Sequence, residues 1–254
     1  MEPEHLQFVL LLNFVHFVSL WVPCWFFLAL TKLRLCERYK ISRDRPDMDP
    51  SLPKNVALDK EAFSEQLVGT FVLVPLISYF GYYPLKQCGM PLSLFPLPSP
   101  SVCLLHMLLL IVLCDALFYW THRTLHHPLL YATLHKKHHF YKGTNVYASE
   151  YFGVVDFVLN VLPGVLPAVL LRVDLLTFLL FTAARGWQTV QSHAGYDLPF
   201  DPLNRGVFAG GARRHDFHHS HNVGCYGDWT PFWDWLCGTD REYRKHYERV
   251  KKQV

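Results

Sequence analysis

From Gln7 to Thr31 the chain reads QFVLLLNFVHFVSLWVPCWFFLALT, with no acidic or basic side chain other than His16. An apolar run of about 18 or more residues is long enough to cross the hydrocarbon layer of a bilayer as a helix. No other feature constrains the fold as strongly. A backbone in lipid must satisfy its own polar groups, which leaves only helices or a closed barrel. The preceding residues, MEPEH, are acidic where a cleaved leader needs positive charge, and no small-x-small site follows, so the run is expected to persist as a span. Further apolar stretches run from Leu67 to Leu85, Ser101 to Trp120 and Val154 to Val190. The last is broken by Pro163, Gly164, Pro167, Arg172 and Asp174. It is expected to form a helical hairpin that turns at Arg172–Asp174 and need not cross fully.

The polar stretches set an orientation. TKLRLCERYKISRDRP follows the first run, Lys86 to Pro100 carries a single charge and much proline, and the chain closes on the basic REYRKHYERVKKQV. Positive loops stay cytosolic. The N-terminus is therefore expected in the lumen, the linker to Gln66 in the cytosol, the proline-rich loop in the lumen, and the polar residues after Trp120 in the cytosol. The closing KKQV resembles a dilysine retrieval signal, which places the chain in the endoplasmic reticulum membrane. A net charge of +3 gives no argument for nucleic acid, and none is expected as a partner. Seven cysteines without a CxxC pair act as small apolar fillers rather than a disulfide frame or zinc ribbon.

Against this apolar background, the histidines stand out. His122, His126 and His127 form HxxxHH; His135, His138 and His139 form HxxHH; His215, His218 and His219 form HxxHH again. Residues three and four apart share a helix face, so each cluster aims its rings at a common point. Pro128 disfavours helix at His127, leaving either His126 or His127 to turn inward. Imidazole suits iron, zinc, copper and nickel, and the clusters offer enough ligands for two ions. His5, His16, His106 and His246 stand alone and are expected to be structural. Asp115 lies on one helical stripe with His122 and His126, where its carboxylate could fix a ligand's tautomer; Asp216, inside HDFHH, could act likewise. An ionisable group inside a span is costly, which strengthens a functional reading of Asp115.

HRTLHH, HKKHH and HDFHH together resemble the sterol desaturase and fatty acid hydroxylase superfamily of membrane di-iron enzymes, over about Asp115 to the C-terminus. HAGYDLPFDPLN (His193 to Asn204), HDFHHSHN and GTDREY (Gly238 to Tyr243) look most like the C-4 methylsterol oxidase branch, with the cholesterol 25-hydroxylase branch second and fatty acid or sphingolipid hydroxylases and desaturases behind them. The resemblance implies an all-α polytopic membrane protein: about four transmembrane or re-entrant helices and a cytosolic histidine-rich di-metal domain. Residues 1–66 would form the first span and linker, and 67–254 the catalytic domain. It further implies two iron ions, molecular oxygen, electrons from NAD(P)H through a reductase and cytochrome b5, a membrane lipid or sterol substrate, and His193 as an added metal ligand.

The pattern departs from that family in two places. Arg214 stands where a histidine precedes Asp-Phe. SEYFGVVD has Gly153, Val154 and Asp156 where histidine, proline and glutamate are usual. The chain holds no electron carrier of its own: GVFAGG (Gly206 to Gly211) lacks dinucleotide spacing, and no His-Pro-Gly-Gly heme segment is present. Arg244 and Lys245 could steer an acidic redox partner. A metal transporter would place its ligands at the membrane midplane, whereas these lie just beyond a span. A silent sterol-binding scaffold would have no need of intact histidine clusters.

Overall fold

The computed structural model describes residues 2–41, 45–48, 51–206 and 210–252. KKQV and GVFAGG fall partly outside them. The described residues are helical and contain no strand; a lone antiparallel bridge joins Lys40 to Tyr196.

Three helical stretches are long and apolar enough to cross a membrane. Helix α1 is Pro3–Lys32, about 45 Å at 1.5 Å per residue. Helices α2 (Pro53–Val68) and α3 (Val74–Gln87) join through a π-helical turn, Gly69–Leu73, into one stretch, Pro53–Gln87. Helix α4 is Pro100–Leu125, with a mean hydropathy of 2.4 over its most apolar window. Apolar side chains on these helices face outward, among them Phe80 (69% exposed) and Leu104 (62%), as lipid-facing residues would. A one-turn helix α5 (Pro128–Leu130) and shorter turns lead to α6 (Val154–Leu170) and α7 (Leu175–His193). These form the expected hairpin. Arg172 takes a positive φ of 48° at the turn, and Asp174 caps α7 by accepting from the Thr177 amide at 2.9 Å. At 17 residues α6 is about 25 Å long, shorter than a full crossing.

The sequence underestimates one element. Residues 53–66, expected as a polar linker, are helical and continuous with the second span, so the 66/67 boundary falls inside a helix. Pro53 opens the helix at its first position, and acidic side chains along it find partners in the histidine-bearing segment. Asp59 accepts from Tyr141 Oη (2.9 Å) and Asn145 Nδ2 (3.1 Å), Glu61 from Tyr151 Oη (2.7 Å), and Glu65 from Lys137 Nζ (2.5 Å).

Helix α7 lies at the centre of the bundle and packs along α1, α4 and the turn at residues 146–150. Phe8, Leu110, Leu175, Phe178, Phe181 and Trp229 form one core cluster; Leu20, Trp21, Phe27, Val190 and Tyr196 form a second nearer the histidines. Helices α8 (Ala212–His221), α9 (Phe232–Cys237) and α10 (Arg241–Lys252) complete the polar end.

Candidate metal centre

Nine of the ten candidate histidines converge. His122, His126, His135, His139 and His218 form one group, and His138, His193, His215 and His219 a second; within each, one ring nitrogen per residue lies within 4.8 Å of the others. Two imidazole nitrogens on opposite sides of an ion stand about 4.2 Å apart, given bonds of about 2.1 Å. A small closure would therefore seat an ion in either group.

The way each HxxHH divides corrects the expectation of a common point. His135 and His139 (i, i+4) join the first group, and His138 (i+3) joins the second. In α8 the assignment is reversed: His215 and His219 face the second group and His218 the first. At about 100° per residue, i+3 and i+4 fall on opposite sides of residue i, about 100° apart. Each motif therefore straddles two adjacent points. His135 also lies in a π-helical turn, Tyr131–His135, rather than a regular α-helix.

His126 and His127 separate clearly. His126 caps α4 with its Nε2 buried and unpartnered, within the first group. His127 has extended ψ (136°) ahead of Pro128, lies exposed, and its Nδ1 accepts from the Leu129 amide at 3.4 Å.

Tautomers are set by the partners of the opposite ring nitrogens. A carbonyl oxygen can only accept, so each Nδ1 facing one carries a proton. His122 donates to Tyr226 O (3.0 Å), His218 to Gly224 O (2.7 Å), His219 to Tyr141 O (3.0 Å) and His193 to Thr189 O (2.8 Å). His135 Nδ1 lies 2.8 Å from Asp156 Oδ2, a buried carboxylate that also accepts from Asn160 Nδ2 at 2.9 Å. The Nε2 atoms then face one another: His215 and His193 at 2.7 Å, His219 and His215 at 3.2 Å, His218 and His139 at 3.2 Å. Burial first, then the neighbouring rings, pushes His126, His138, His139 and His215 well below the ordinary histidine range. Burial also dominates for His218 and His219, and brings His193 down to about 4. Neutral imidazoles with converging lone pairs are the donor set a divalent first-row metal needs. Nε2 of His122, His126 and His135 is buried without a partner, the condition a metal bond relieves.

The two carboxylates expected to orient histidines do so only indirectly. Asp115 accepts from the amides of Trp229 (2.9 Å) and Thr230 (3.1 Å) and from Thr230 Oγ1 (2.6 Å), not from His122. It holds the loop whose Tyr226 carbonyl receives His122. Asp216 accepts from Thr144 N (2.9 Å) and Oγ1 (3.1 Å), holding the loop whose Tyr141 carbonyl receives His219. The stripe argument gave the face of α4 but not what packs on it from more than a hundred residues away. Asp156, the direct partner, was visible only as an altered position in SEYFGVVD. Asp234, which accepts from the Tyr226 and Gly227 amides (both 2.9 Å), carried no signal. Arg214 turns away from the centre to Asp240 (3.1 Å) and lies over the Tyr243 ring. Of the lone histidines, His5 bonds Tyr79 O and stacks on Tyr82, while His16 lines a cavity.

That cavity, about 360 Å³ and within the usual range for ligand pockets, runs from α1 and α3 to the histidines. Its walls are mostly apolar (Phe8, Leu12, Ile77, Phe157, Val161, Phe178 and others), and it reaches His122, His135, His138, His193 and His215.

The fatty acid hydroxylase family model matches residues 107–239, more than half the chain. Methylsterol monooxygenase 1 of Rattus norvegicus is 31% identical over 215 residues, covering 85% of this chain and 71% of the rat protein. Methylsterol monooxygenase 1 of Gallus gallus is 29% identical over 217 residues, with the same coverages. Very-long-chain aldehyde decarbonylase GL1-8 of Oryza sativa subsp. japonica is 34% identical over 172 residues, covering 66% of this chain and 64% of the rice protein. No solved structure matches. Fold and matches together define an oxygen-dependent oxidoreductase of the membrane. The chain belongs to the fatty acid hydroxylase family.

Proposed function

We propose that the protein is a di-iron monooxygenase that hydroxylates a membrane sterol, with electrons delivered from NAD(P)H through cytochrome b5 and its reductase. The observation that carries this reading is the meeting of two imidazole groups with an apolar cavity. Iron held by the nine histidines would supply oxidation of an unactivated C–H bond by molecular oxygen. In the overall reaction one oxygen atom enters the substrate, and the other leaves as water with two electrons and two protons. The protein's own part is to hold the neutral imidazoles, exclude water with apolar walls and position the lipid.

The names of the rat and chicken relatives favour a methylsterol as substrate, and the likeness of HAGYDLPFDPLN and GTDREY to the C-4 methylsterol oxidase branch favours a C-4 methyl group as the oxidised position. A side-chain carbon is the second reading, favoured by polar groups on the cavity wall away from the histidines. Loop charge supports a cytosolic histidine end, and the dilysine-like KKQV supports the endoplasmic reticulum as the membrane. Docking of an acidic carrier through the tail has weaker support, since Arg244 already pairs with Asp240 (3.0 Å) and Lys245 with Glu242 (2.7 Å).

Profiling sterols and acyl lipids together from cells with and without the protein tests the reading. A hydroxylated or demethylated sterol that depends on His138 and His218 is expected. An acyl product alone would replace sterol by fatty acid as the substrate class.

A further inference from the structure

The cavity has a second polar region besides the histidines. His16 of α1 lines it, with its Nε2 buried and unpartnered. Glu150, from the turn Val146–Glu150, lines it too. Its Oε2 stands 3.7 Å from where a Cβ on Gly69 would lie, so the small residue in the π-helical turn leaves the carboxylate room. Among the described residues no side chain donates a hydrogen bond to Glu150; its one electrostatic neighbour of note is His16, and burial pushes its carboxyl up. The other charged pair on the wall, Arg185 and Asp228, is already engaged. Arg185 bonds Asp228 (2.6 Å) and Asn160 O (3.1 Å), and Gln188 bonds Asp228 (2.7 Å). A half-buried carboxylate without a donor and a buried ring nitrogen left open, both facing one apolar cavity, are groups that a ligand would satisfy.

We propose that His16 and Glu150 form a seat for the hydroxyl end of the lipid, a hydrogen-bonding subsite for an alcohol, opposite the metal end of the cavity. The proposal rests on the reading of the protein as a lipid hydroxylase. Glu150 accepts a hydrogen bond from the hydroxyl, and His16, as its Nε2–H tautomer, donates one to the hydroxyl oxygen. The spacing follows from the helix register. Ser19 packs against Gly186, where a Cβ would collide with its Oγ, and Phe27 stacks on Tyr196, so α1 and α7 run the same way. Gly186 to His193 is seven residues, about 10 Å of rise, and His16 lies nearly a turn further from the histidines than Ser19. A sterol with its hydroxyl seated there presents carbons roughly 10 Å or more away to the metals, so the seat supports the side-chain reading of the oxidised position over the C-4 methyl, which is attached to the carbon next to the hydroxyl.

The test uses iron-loaded protein in nanodiscs and two probes that differ only at the oxygen, cholesterol and its methyl ether. The native chain is expected to bind the alcohol roughly tenfold tighter than the ether, the loss of about one charge-assisted hydrogen bond. Glu150→Leu and, independently, His16→Leu are expected to bind the two alike, with iron content and melting temperature unchanged. Equal binding of both probes by the native chain overturns the seat, whatever the reaction product. If neither sterol binds, but octadecanol binds over its methyl ether with the same dependence on Glu150, the seat stands and the sterol reading falls. If no probe binds, or if discrimination survives both substitutions, the seat is wrong.

Discussion

The chemistry of the centre depends on partners of ring nitrogens that point away from it. Among the described residues Asp156 is the only carboxylate in direct contact with a cluster histidine, at 2.8 Å from His135. Asp156→Asn keeps an acceptor but removes the charge, and we expect retained metal affinity to fall roughly 10–100-fold. Metal content after a graded chelator challenge measures it; wild-type retention would reduce Asp156 to a packing residue. His126→Ala should lose metal while His127→Ala should not, because His126 faces the first group and His127 caps the next turn. Equal loss from both would contradict the geometry. The histidines that converge were legible, since few other roles place so many imidazoles in so short a stretch, and Pro128 foretold that His127 would leave the helix. The roles of Asp115 and Asp216 were not. Each shares a helix with histidines, but its hydrogen bonds go to loops distant in sequence, Trp229–Thr230 and Thr144.

Among the secondary-structure elements, two HxxHH motifs on different segments interleave so that each feeds both groups. We expect His193→Ala, which touches only the second group, to reduce bound iron from two ions to about one per chain, and the remaining ion to require His122 and His135. A variant that retains both ions, or loses both, would show that the groups are not separate sites. The hairpin was legible because Arg172 and Asp174 break an apolar run at its turn, while Pro163 and Pro167 lie inside α6. The helical state of residues 53–66 was not, because apolar periodicity is weak there. That segment is stabilised instead by Asp59, Glu61 and Glu65 reaching Tyr141, Tyr151 and Lys137, partners that only the folded chain brings near.

Across the whole molecule, three long apolar helices and a short hairpin hold a buried imidazole centre beside the polar end, with an apolar cavity leading to it. This arrangement suits a substrate that arrives from the bilayer and an oxidant confined away from water. The membrane class was legible from hydropathy alone. The cavity was not, because it is lined from α1, α3, α4, α6 and α7 at once, and the polar pair inside it unites a histidine set aside as structural with a glutamate in a loop. The most direct test of the central claim is oxygen-isotope labelling. Iron-loaded protein is supplied with membrane lipids, cytochrome b5, its reductase and NADPH under ¹⁸O₂, and the extract is read by mass spectrometry. We predict one labelled oxygen in a sterol product, absent with His138→Ala. No labelled lipid from protein that carries its full iron would contradict the assignment as a lipid monooxygenase.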